Sequence, residues 1–162
     1  MAVTNNIALD KIEVGTIEAD GGVSASFAVL GRTFRESASI TQEENETHDF
    51  EVEEQDEPIA SIITKKGTTT IKWELVDWDV DVLQKVWGGS VVSGAWHEPD
   101  SLPEVELSVR LTPRIGKPFT YPRCKITATL AYDANRTGIA RIIMSAKKLK
   151  PEKAGEPAFM WG

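Results

Sequence analysis

Through most of this chain apolar side chains recur at every second position, and that period constrains the fold more than any other feature. Alternate residues of an extended strand fall on opposite faces, so the pattern demands half-buried β-strands. Phe34, Ala38 and Ile40 alternate with Arg35, Ser37, Ser39 and Thr41, while Phe50 and Val52 alternate with Asp49, Glu51 and Glu53. A polar turn at residues 43–46 predicts that these two stretches pair as a hairpin, with Phe50 and Val52 turned inward. An apolar run opens the chain at residues 7–14. Ile71, Trp73 and Leu75 share one strand face, as do Val105, Leu107, Val109 and Leu111. Cys124, Ile126, Ala128, Leu130 and Tyr132 lead through a turn at residues 133–138 into Ala140, Ile142, Met144 and Ala146, which predicts a second hairpin.

One segment breaks the rhythm. DWDVDVLQKVWGG, residues 77–89, sets Val80, Leu83, Val86 and Trp87 at helical spacing between aspartates suited to an N-cap and glycines suited to a left-handed stop. The expected fold is therefore mainly β: a sandwich or barrel of two packed sheets with one flanking helix at about residues 79–87. Residues 88–103 and 112–122 carry Gly and Pro without clear period and are expected as long loops. At 162 residues the chain fits a single domain, 1–162, with a core large enough to fold without staples.

Charge is unevenly placed. Residues 1–60 hold fourteen acids and three bases, whereas residues 61–162 hold eleven acids and fifteen bases. Nine carboxylates and no base fall within residues 43–57, EENETHDFEVEEQDE. An acidic total argues against a protein that grips nucleic acid, and the split suits docking onto copies of itself. No apolar run approaches the roughly 20 residues of a bilayer span. The opening MAVTNNIALDK shows no signal-peptide pattern, and lone Cys124 fits a reducing compartment.

Signs of chemistry are sparse. His48 and His97, the two histidines, form no local constellation with Cys124 or a serine, and no glycine-rich phosphate loop is present. Asp77, Asp79 and Asp81 mimic the start of a calcium loop, but Val82 and Gly88 stand where glycine and a bidentate glutamate are needed. The chain is read as a non-enzyme, without cofactor or metal.

VLGRTFRESASITQ, FEVEEQDEPIASI and TTTIKWELVDWDVDVLQKVWGG follow one another in an order of opening strand, acidic hairpin, strand and glycine-closed helix. Over residues 6–89 this layout resembles the major tail tube proteins of long-tailed bacteriophages, which are related in fold to the inner-tube proteins of contractile injection systems. The resemblance implies a structural virion protein that forms hexameric rings stacked head to tail into a tube for DNA ejection. It implies no catalytic residue. The implied partners are other copies of the chain, the tape measure, terminator and baseplate proteins, and DNA passing without specific binding; no membrane is involved. The implied location is the virion tail, and the host cytoplasm during assembly.

On this reading Ser37, Ser39, Thr41, Asp49, Glu51 and Glu53 are expected to line the lumen as a polar, negative surface that repels phosphates. Glu43, Glu44 and Glu46 at the turn would meet Lys147, Lys148 and Lys150 of a neighbouring ring. Trp96, Phe119 and Tyr121 are expected as apolar anchors between subunits. Another ring-forming tail protein, a terminator or distal tail ring, shares these features. A stand-alone carbohydrate- or peptide-binding β-sandwich using Trp96 is the alternative of a different class, and a solvated, aggregation-resistant edge is the plain account of the acidic run.

Overall fold

A computed structural model describes residues 2–162. Twelve strands and one helix follow in chain order: β1 (Lys11–Gly15), β2 (Ala28–Val29), β3 (Ser39–Gln42), β4 (Glu46–Phe50), β5 (Ala60–Lys65), β6 (Thr69–Leu75), α1 (Val80–Trp87), β7 (Ser90–Val92), β8 (Ala95–His97), β9 (Val105–Thr112), β10 (Phe119–Ala131), β11 (Arg141–Lys148) and β12 (Met160–Trp161). The fold is mainly β with a single flanking helix among the described residues.

Eight strands form one sheet in the order β2-β1-β9-β10-β11-β6-β3, with β12 added beside the start of β10 where β11 does not reach. Period-two patterning places Ile12 and Val14, Leu107, Val109 and Leu111, Cys124 and Ile126, Ile142, Met144 and Ala146, and Ile71, Trp73 and Leu75 in one buried cluster. Burying one such side chain stabilises by about 1.5–3 kcal/mol, so this shared face is the main driving force. The sheet curls around that cluster. Val29 pairs with Glu13 at one end of the sheet, and Thr33 already bridges to Leu75 on β6 near the other. Four residue steps span at most about 14 Å, so the two ends lie close, yet no ladder joins β1 to β3 and the barrel stays open.

The second predicted hairpin is present: β10 and β11 pair from Cys124 and Lys148 to Ala131 and Arg141. Its far end leaves the core, with Leu130 and Tyr132 exposed. On its other side β10 carries a bulge. Tyr121 faces Val109 and Cys124 faces Leu107, so Pro122 and Arg123 oppose Ser108 alone. Proline cannot donate to a ladder, and the irregularity gives it a place. Ser108 closes the gap: its hydroxyl donates to Pro122 O at 2.6 Å and accepts the Ser24 N–H at 3.0 Å.

The helix starts and stops where local chemistry dictates. Asp79 caps it by accepting the Val82 N–H, and Gly88 ends it at φ 72°. Its most buried residues are Val82 and Val86, with Leu83 and Trp87 half-buried beside them; Val82 was not among the residues expected to face the core. Trp87 Nε1–H donates to Ala128 O at 3.1 Å and ties the helix to β10. Asp77 does not belong to the cap. It accepts the Arg32 N–H at 2.7 Å and pairs with the Arg32 guanidinium, fastening the segment that crosses between the sheet ends.

Two expectations are corrected. Residues 88–103 are not loop throughout, because β7 and β8 pair across Ser93 and Gly94, both at positive φ as a tight two-residue hairpin turn requires. The stretch 112–122 is also shorter as a loop, since β10 begins at Phe119.

Candidate functional site

The acidic run lies on a projecting arm. β3 does not pair with β4; it pairs with β6, while β4 pairs with β5. Residues 39–50 and 60–75 thus make one long hairpin, irregular at residues 43–45 and 66–68, that reverses only at residues 51–59. The turn expected at residues 43–46 is a kink. Its geometry is fixed by Gly67, whose N–H donates to Asn45 Oδ1 at 2.8 Å and whose α-carbon lies against the Glu43 carbonyl, leaving no room for a Cβ. Glu43 N–H donates to Thr68 O at 3.0 Å across the same neck.

Beyond the neck every residue of β4 and β5 is exposed. The expected inward turn of Phe50 and Val52 is therefore wrong: nothing lies beneath them, and their exposures are 44% and 37%. Ile59, Ile62 and Ile63 are exposed at 58%, 50% and 64%. Cross-strand pairing puts His48, Phe50, Ala60 and Ile62 on one face and Thr47, Asp49, Ser61 and Ile63 on the other. His48 packs edge-on against Phe50 at 4.9 Å between ring centroids. Glu51 and Glu53 lie past the end of β4, in the loop at the tip.

The residues assigned to one lumen surface separate. Ser39 and Thr41 on β3 lie opposite Lys72 and Thr70 of β6, which continue across Ser145 and Lys147 of β11 to Thr127 and Lys125 of β10. That outward face carries hydroxyls and lysines. Asp49, Glu51 and Glu53 are on the arm and do not share it. Ser37 is half-buried, and its hydroxyl donates to Phe34 O and accepts the Glu74 N–H, holding a turn. The β5 isoleucines and Lys72 were missed; Lys72 alternates plainly within IKWEL, whereas Ile62 and Ile63 are adjacent and face opposite sides.

The contact residues divide as well. Glu43, Glu44 and Glu46 are exposed at the neck, with Glu46 opposite Lys65 of the same arm. Lys147 and Lys150 are exposed, but Lys148 sits half-buried opposite Cys124, where burial and nearby Lys66 hold its pKa below the ordinary lysine value. Tyr121 is corrected outright. It is 3% exposed in the core, stacked on Phe159 at 4.9 Å, and burial pushes its hydroxyl up to about 12. Phe119 is half-covered by the same Phe159 ring at 6.0 Å. Trp96 is half-buried against Trp87 at 5.7 Å, and its Nε1–H donates to Gly88 O at 2.8 Å.

Burial raises the Cys124 thiol to about 12, far from a nucleophilic thiolate. Among the described residues no group of three or more His, Cys, Asp or Glu is placed to hold a metal ion, and no buried side-chain polar atom lacks a hydrogen-bond partner. Among the described residues no helix is long and apolar enough to cross a membrane. A scan against protein-family models finds no match, and a search of curated proteins finds none.

Proposed function

We propose that this protein is a self-assembling structural subunit, forming six-membered rings that stack into a phage tail tube and conduct DNA. The observation that carries the reading is the arm. A two-stranded ribbon is at best marginally stable alone in water, and this one shows five large apolar side chains on or near strands that touch no core. Such a ribbon is stabilised when a neighbouring surface covers it. The nine carboxylates of residues 43–57 keep the uncovered arm soluble and prevent random edge pairing until that surface arrives. The acid is thus assigned to a contact between subunits and no longer to the bore. The same-fold ring proteins named above share this requirement, whereas a monomeric glycan-binding module does not explain the arm.

Electron microscopy and sedimentation of the purified protein test the proposal. Rings or tubes are expected to form with rising concentration and no added ligand. A variant with residues 46–65 replaced by a short turn is expected to stay monomeric with its melting temperature preserved. A wild-type protein that remains a monomer at millimolar concentration, or an armless variant that assembles normally, would overturn it.

A further inference from the structure

Where the sheet fails to close, it leaves a cleft of about 870 Å³ between β1 and β3. Two strand edges border it. β2 covers β1 only at Glu13 and Val14, and β3 has β6 on one side and no strand on the other. The floor is apolar, built by Leu9, Ile12, Phe34, Ile40 and Leu111. The rim carries Lys11, Arg32, Arg35 and Arg114 against Asp10 and Glu36. Arg32 is engaged by Asp77, while Arg35 forms no ion pair among the described residues. Two of the three non-glycine residues with positive φ, Ala8 at 60° and Glu36 at 64°, also line this cleft. Strain of that kind collects where a chain is held ready for a contact.

An apolar floor with a basic rim defines the occupant that fits: an acidic segment that presents an exposed apolar side chain. Residues 51–59, EVEEQDEPI, have that composition. These residues are the closed tip of the arm, where the Ile59 N–H donates to Phe50 O at 2.8 Å, so the tip can offer Val52 to the cleft while its carboxylates meet the rim. Val52 and Ile59 are both exposed.

The geometry points to the arm tip of a second copy of this chain as the occupant of the cleft. The chain's own tip is carried away from it. The arm leaves the sheet at Gln42 and Thr69, and the five residues of β4 rise about 17 Å further. The inserted tip sets its carboxylates against the basic rim and Val52 over the apolar floor. Arm and cleft are different surfaces, so the contact is head-to-tail and propagates from copy to copy, closing as a ring or continuing as a filament. The inference rests on the self-assembly reading and supplies it with a donor and an acceptor.

Charge reversal with rescue tests the pairing. One variant carries Glu51→Arg and Glu53→Arg on the arm, the other Arg35→Glu and Arg114→Glu on the rim. Each alone is expected to raise the concentration needed for assembly at least about tenfold. An equimolar mixture of the two restores it, because each arm then meets a rim of opposite sign. Circular dichroism of each variant establishes that it is folded. If wild type assembles and folded rim variants assemble equally well, the cleft is not the acceptor, although self-assembly stands. If wild type does not assemble, the peptide EVEEQDEPI titrated against the monomer decides: saturable binding lost in the rim variant supports the pairing, and no binding at about 1 mM overturns it. A map of the assembly with another segment or another protein in the cleft also overturns it.

Discussion

Replacing Ser108 by alanine removes one hydroxyl and orphans two backbone groups. Ser108 is fully buried, and its oxygen serves both the Ser24 N–H at 3.0 Å and the Pro122 carbonyl at 2.6 Å. Volume changes little, so the cost is almost wholly that of unmet polar groups. Each buried group left unpaired costs about 1–3 kcal/mol, giving about 2–6 kcal/mol if the two were independent. They share one partner and one small space, so their losses couple, and about 3 kcal/mol is expected. For a domain of this size that corresponds to a melting temperature lower by about 6–12 °C. Urea unfolding at concentrations where the protein is monomeric should show a lower midpoint with an unchanged slope. Amide exchange adds a local readout: the Ser24 N–H should lose protection beyond the global change. Ser108→Cys, which keeps an atom in place but donates weakly, should fall between wild type and alanine. A loss under about 0.5 kcal/mol with Ser24 protection retained would refute the assignment of Ser108 as the clamp of the bulge.

Two further expectations follow from ionisable groups. The Arg123 guanidinium, bonded to both oxygens of Glu106 at 2.8 and 3.0 Å, holds that carboxyl below its ordinary value of 4.5. A depressed folded value means the contribution is complete above the unfolded value and lost as pH falls through the folded one, so Glu106→Gln should flatten the decline in stability below about pH 4.5; parallel wild-type and variant curves would exclude it. Cys124, buried and raised to about 12, should resist iodoacetamide at about pH 8 in the folded protein and react once urea unfolds it. Labelling without loss of native circular dichroism would place the thiol elsewhere.

What the sequence determined by itself is whatever depends on near neighbours in the chain. Period-two patterning marked the β6, β9, β10 and β11 faces, and Ile71, Trp73, Leu75, Val109, Ile142 and Met144 are all fully or almost fully buried. The helix was equally legible, because Asp79 and Gly88 act within a few residues of the turns they cap. Alternation does not say what lies beneath a face. Phe50 and Val52 carry the same pattern as the core strands, yet no second layer covers them, since the hairpin that holds them runs past the sheet. Nor does alternation name a partner strand: the kink at residues 43–45 and the reversal at residues 51–59 are both polar, and only the ladders of β3 with β6 and β4 with β5 distinguish them. Tyr121 and Trp96 looked like loop anchors because Pro and Gly surround them, but a bulge and a short ribbon turn both rings toward other aromatics. The cleft is the most tertiary feature of all. Leu9, Arg35 and Leu111 are distant in sequence, and they meet only because the sheet curls far enough to bring its ends together without joining them.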